Sequence, residues 1–136
     1  EDAFKTSKGF LEKYKLKEDY DFLVVDFHGE ITSEKNAIGH FFDGKATLVV
    51  GTHTHVPTAD GRILKGGTAY QTDLGMTGPR ESVLGREIEA CLARFVDGMP
   101  RKCPVAENDV GMQGCMVKVN RLDGSVEAFE RVEFRI

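Results

Sequence analysis

A chain of 136 residues with 18 Lys and Arg against 22 Asp and Glu carries a formal charge of −4. That length suits one domain with a real hydrophobic core, and the mildly acidic balance gives no global electrostatic reason to bind DNA or RNA. No apolar run approaches the roughly 18 residues of a membrane span, and no signal-peptide pattern opens the chain.

Lys13, Lys15 and Lys17 lie among Glu12, Glu18 and Asp19, which is a solvated mixed-charge surface rather than a basic stripe. Cys91, Cys103 and Cys115 are odd in number and lack a Cys-x-x-Cys spacing, so they read as reduced thiols of a cytoplasmic protein, small buried hydrophobes in the first instance. The first residue is Glu1, and the opening residues already have helical character, as expected of a piece of a longer protein or of one trimmed at its start.

In chain order, residues 2–15 place Ala3, Phe4, Ser7, Phe10, Leu11 and Tyr14 on one stripe at helical spacing. After a polar link, residues 21–27 are nearly all apolar and predict a strand covered on both faces. It ends in His28-Gly29-Glu30. Thr32-Ser33-Glu34 starts a helix, with a hydroxyl at the cap and a carboxylate in the first turn. That helix carries Ala37, Ile38, Phe41 and Phe42 and closes at Asp43-Gly44. Residues 46–50 form a second buried strand. Residues 21–50 therefore have the length and order of a βαβ unit. If its strands are parallel, both histidine-bearing ends emerge on one sheet edge, outside the carboxyl ends of strands, where open α/β sheets place their ligands.

Ala59-Asp60-Gly61-Arg62 predicts a tight turn, with short strands at 63–64 and 68–72, followed by a loop over 73–79. A second helix follows, with Ile88, Cys91, Leu92, Phe95 and Val96 as its stripe and Asp97-Gly98 as its stop. The tail reads as β: strands at 102–106 and 111–120, a turn at Leu122-Asp123-Gly124-Ser125, and a hairpin partner at 126–136 with a bulge near Arg131. The fold class is α/β.

The chemistry concentrates in Gly51-Thr52-His53-Thr54-His55. In an extended backbone, side chains two apart leave the same face, so His53 and His55 would point into one site while Thr52 and Thr54 point away. His28, at the neighbouring strand end, adds a third candidate metal ligand. The alternative, loop histidines hydrogen-bonded to the backbone, stays open on spacing alone. Asp26 and Glu30 flank His28 and could orient its ring or serve only the strand edge and solvent. Asp73 could line a site. His40, inside the predicted helix, reads as structural or exposed. No complete phosphate-binding Gly-x-x-x-x-Gly-Lys-Ser/Thr loop, Gly-x-Ser-x-Gly elbow or reactive-cysteine signature occurs.

Three blocks carry a resemblance. Asp26-Phe27-His28-Gly29-Glu30-Ile31-Thr32-Ser33-Glu34-Lys35, Val50-Gly51-Thr52-His53-Thr54-His55-Val56-Pro57-Thr58-Ala59-Asp60 and Gly67-Thr68-Ala69-Tyr70-Gln71-Thr72-Asp73-Leu74-Gly75-Met76-Thr77-Gly78-Pro79 stand in order and spacing. Together they resemble a bacterial calcineurin-like metallophosphoesterase family of cyclic-nucleotide phosphodiesterases, including 2′,3′-cyclic ones. The resemblance implies an α/β/β/α sandwich, two mixed sheets flanked by helices, of which this chain resembles the C-terminal half and ends in a β-hairpin. It implies two divalent metal ions, iron or manganese before zinc. His28 and His53 would be ligands of one ion and His55 of the other.

The family's early Asp, its Gly-Glu-Asn with the bridging Glu and its Gly-Asn-His with the general-acid His do not occur in the chain. The chain alone is therefore expected to bind at most one ion weakly, to show little or no turnover, and to self-associate through surface that half a fold leaves open. Two other readings stand beside this one: a non-catalytic metal- or nucleotide-binding domain, and a mononuclear zinc hydrolase built on three histidines.

Overall fold

The computed structural model describes residues 2–135. Helix α1, Ala3–Lys13, begins where Asp2 Oδ1 accepts the backbone N–H groups of Phe4 at 2.9 Å and Lys5 at 3.2 Å, a side-chain cap on donors a helix start cannot otherwise satisfy. Strand β1, Val24–His28, helix α2, Thr32–Phe41, and strand β2, Leu48–Thr52, form the predicted βαβ unit. β1 and β2 are parallel, in register from Val24 opposite Leu48 to His28 opposite Thr52. Strands β3, Arg62–Ile63, and β4, Ala69–Gln71, complete a sheet of order β1-β2-β4-β3, with β4 parallel to β2 and β3 antiparallel to β4. The core lies between this sheet and the helices: Ile38, Phe42, Ala46, Val49, Leu64 and Tyr70 are buried, and Phe4, Leu11, Val25 and Phe27 pack against them.

A second sheet holds the short strand β5, Gly78–Pro79, then β6, Val110–Val119, and β7, Val126–Arg135, all antiparallel neighbours. Between β5 and β6 runs helix α3, Ile88–Asp97, closed by Gly98 in a left-handed conformation. No helix among the described residues is long and apolar enough to cross a membrane.

Several local expectations need correction. No turn falls at Asp60-Gly61; the chain turns instead at 65–67, between β3 and β4, and α2 starts after Ile31 with no side-chain cap. β1 is not covered on both faces: Leu23, Val25 and Phe27 turn to the helices, while Val24 is 61% exposed and Asp26 and His28 face solvent. Position at a sheet edge, with helices packed on one face, explains it; the apolar run records sidedness that hydropathy alone does not show. Residues 102–106 form no strand, Val105 making a lone bridge to Arg86, because Pro104 has no N–H to give a ladder. The β6–β7 register runs without a break through Arg131; the irregularity falls between Lys118 and Val119, which pair with Ala128 and Val126 and leave Glu127 as the extra residue beside the turn. The stripe of α2 holds at Ile38 and Phe42, which are buried, and at Phe41, which packs on the core, but Ala37 is exposed and Lys35 and Gly39 are buried instead. On α3, Cys91 is buried but Leu92, Phe95 and Val96 are 53%, 80% and 85% exposed, so an amphipathic pattern there has no core to face.

Candidate functional site

Parallel pairing in register makes His28 and Thr52 direct neighbours at the carboxyl ends of β1 and β2. Thr52 Oγ1 lies 3.1 Å from His28 Nδ1 and donates to Asp26 Oδ1 at 3.3 Å. The other nitrogen of that ring, His28 Nε2, is 3.4 Å from His53 Nδ1, with the two rings edge to face at 5.3 Å between centroids. Asp26 thus reaches His28 through a hydroxyl. Thr52, expected to point away from the histidines, is the residue that holds one of them.

The extended geometry assumed for residues 53–55 does not occur. β2 ends at Thr52, and the next two histidines have φ of 152° at His53 and 62° at His55, conformations costly for residues with a Cβ and concentrated at functional sites. Period-two alternation fails beyond the strand for that reason. His53 turns to His28, whereas His55 lines a separate hollow with Met76, Arg80, Asp109 and Gln113.

A buried anion holds this bend. Asp73 Oδ2 accepts the Thr54 N–H at 2.9 Å and the Lys35 ammonium at 2.9 Å, and Oδ1 accepts the Gly75 N–H at 3.0 Å. Burial pushes the Asp73 carboxyl up, but the Thr54 and Gly75 amides and Lys35 outweigh it and hold it below its ordinary range. Asp60, two residues before β3, repeats the device: burial raises its carboxyl, while the hydroxyls of Thr58 and Thr72 and the Thr72 amide bring it below the usual value. Gly51 completes the frame, since a Cβ there would stand 1.9 Å from the Thr72 carbonyl oxygen and 2.7 Å from Lys35 Cδ.

Lys35 was not singled out from sequence. Its signal was position: a lysine three residues before Ile38 falls on the stripe that α2 buries. Asp73 lines the loop from beneath rather than the open site. Glu30 and His40 are exposed.

Imidazole nitrogens bound to one tetrahedral ion at ~2.0–2.1 Å stand about 3.3–3.4 Å apart, which is the separation of His28 Nε2 and His53 Nδ1. The pair therefore fits two neighbouring positions on a divalent ion. Among the described residues, no group of three or more His, Cys, Asp or Glu is arranged to hold a metal, so this geometry offers a two-nitrogen fragment of a centre.

Residues 1–132 match a family model described as YmdB-like protein. The chain is 45% identical over 111 residues to the 2′,3′-cyclic-nucleotide 2′-phosphodiesterase of Bacillus subtilis, covering 82% of this chain and 42% of that protein. A solved structure described as a novel phosphatase from Mycoplasma pneumoniae superposes with a TM-score of 0.87 at 38% identity, covering 98% of this chain and 47% of that one. The structure of a hypothetical protein from Thermus thermophilus gives 0.86 at 38% identity, over 99% of this chain and 51% of that one. The chain thus spans about half, or less, of the length of the proteins it matches.

Proposed function

The chain belongs to the YmdB-like protein family, and from that premise we propose that it supplies the histidine ligands of a two-metal phosphodiesterase acting on cyclic nucleotides, 2′,3′-cyclic ones among them. The observation that carries the proposal is the 3.4 Å approach of His28 Nε2 to His53 Nδ1 outside the carboxyl ends of two parallel strands. The activity for which the Bacillus subtilis relative is named supports the substrate class. Divalent ions at such a centre neutralise phosphate oxygens and lower the pKa of a bound water.

The chain's own residues do the holding. His28 and His53 take two positions on one ion, iron or manganese by the family resemblance with zinc as the third candidate, and His55 serves a second ion from its separate hollow. The bridging carboxylate and the general acid belong to the part of the relatives' length that this chain does not span, completing an α/β/β/α calcineurin-like sandwich. Alone, the chain binds one ion weakly and turns over little or no substrate. It also self-associates, through the apolar face of α3 and the outer edge of β1, which has no strand partner among the described residues.

A second reading, a non-catalytic metal- or nucleotide-binding domain, is favoured by one observation: no carboxylate joins the two histidines in a metal-holding group among the described residues.

The deciding experiment loads the chain and its His53→Ala variant with Mn²⁺, measures bound metal by mass spectrometry, and assays 2′,3′-cyclic nucleotide hydrolysis on the same samples. One bound ion, lost in the variant and without turnover, is the expected result. Metal retained by His53→Ala would overturn the ligand assignment. Turnover by the chain alone would show that the missing groups are not needed.

A further inference from the structure

The geometry points to Thr52 as a positioning residue that holds the proton of His28 on Nδ1 and leaves Nε2 free for an ion shared with His53. The inference rests on the metal-binding reading above and deepens it, by naming what prepares the ligand rather than the ligand itself.

Direction is the first step. Thr52 Oγ1 stands between two groups, Asp26 Oδ1 at 3.3 Å and His28 Nδ1 at 3.1 Å. A hydroxyl has one proton to give, whereas an ionised carboxylate only accepts. The hydroxyl proton therefore goes to Asp26, and what remains toward His28 is a lone pair. Nδ1 must then carry the ring proton and donate it. A neutral imidazole has a single N–H, so Nε2 is left with its lone pair in the ring plane, on the side where His53 Nδ1 lies 3.4 Å away.

The second step is rigidity. Thr52 is the last residue of β2 and is paired with His28, the last of β1, across a parallel ladder in register. A β-branched side chain on a strand has few rotamers, and both its polar contacts lie on β1. The hydroxyl is thus fixed relative to the ring it directs. Histidine ligands owe their tautomer and orientation to such outer partners, whose loss typically costs about 10–100-fold in metal affinity. Among the described residues, no polar side chain other than Thr52 and His53 hydrogen-bonds His28: Glu30 is exposed, and Asp73 is occupied by Lys35 and the Thr54 and Gly75 amides.

The test uses Thr52→Val, which keeps shape and strand preference but removes the hydroxyl, and Thr52→Ser, which keeps the hydroxyl. Long-range ¹⁵N–¹H spectra of the metal-free chain, recorded above the ordinary imidazole titration range, read the tautomer of His28 directly. Titration calorimetry with Mn²⁺ alone reads affinity. The expected result is the Nδ1–H form in the unmodified chain and in Thr52→Ser, a mixed or Nε2–H form in Thr52→Val, and Mn²⁺ affinity about 10–100-fold weaker in Thr52→Val alone. An unchanged Nδ1–H signature in Thr52→Val, or equal Mn²⁺ affinity in all three forms, would overturn the inference. If the tautomer shifts as expected but no form binds Mn²⁺, Thr52 still directs the ring, and it is the metal-binding reading that fails.

Discussion

Lys35 and Asp73, on α2 and just after β4, form an ion pair with Nζ 2.9 Å from Oδ2 and with side chains 1% and 0% exposed. The pair ties the helix between the first two strands to the loop after β4, and through the Thr54 amide it sets the path of the histidine segment. Two charges removed from water cohere only while both are present. Asp73→Asn should therefore destabilise the chain by about 3–5 kcal/mol, read from the urea midpoint at unchanged slope. Adding Lys35→Met should recover part of the loss, because the orphaned ammonium goes with it. A single-variant loss below ~1 kcal/mol would show that water reaches the pair.

Acid should undo the same frame. Burial pushes the Asp73 and Asp60 carboxyls up, but their hydrogen bonds, with Lys35 added at Asp73, bring both below the ordinary 3.8. A carboxyl lowered by folding contributes stability that is complete above its unfolded value and disappears as pH falls through its folded value. Unfolding free energy should thus be level above about pH 5 and fall steadily below about pH 4. Asp73→Asn should flatten that fall. A profile of equal slope in the variant would assign the acid sensitivity to other groups.

Gly51→Ala tests the close approach of β2 to the segment after β4. The added methyl would meet the Thr72 carbonyl oxygen at 1.9 Å, backbone that cannot rotate aside. A loss of about 1–3 kcal/mol or more is expected, together with displacement of His53 visible as changed imidazole shifts. Stability equal to the unmodified chain would mean that the two strands separate more easily than their packing indicates.

Self-association is open to a sizing experiment. Val24 at 61%, Leu92 at 53%, Phe95 at 80% and Val96 at 85% exposure leave apolar surface on β1 and α3 without a cover. The apparent mass should rise with concentration, and Phe95→Glu should lower it if α3 is the contact. A monomer at high concentration would count against the proposal.

Much of this was legible in one dimension. The strand–helix–strand over residues 21–50 showed itself because strands and the helix between them need apolar runs of characteristic length and spacing, and those are local. The candidacy of His28 and His53 followed from the same pattern, since strand ends that share one edge bring distant residues together. Local signals could not reveal which side of β1 would be open, where the β6–β7 irregularity would fall, or that α3 would show its apolar stripe to solvent. Those depend on what packs against each element.

The sequence by itself determined the strand–helix–strand order of residues 21–50, the turns that follow α2 and join β6 to β7, and the histidine-bearing strand ends, because each rests on periodicity and backbone preference within a few residues. Only the tertiary structure decided that His53 joins His28 while His55 faces another hollow, that Thr52 turns toward the site, and that Lys35 is buried. The reason is physical. A carboxylate 38 residues from its lysine holds both that lysine and the backbone of the bend, and a bond across that separation leaves no periodic trace in the chain.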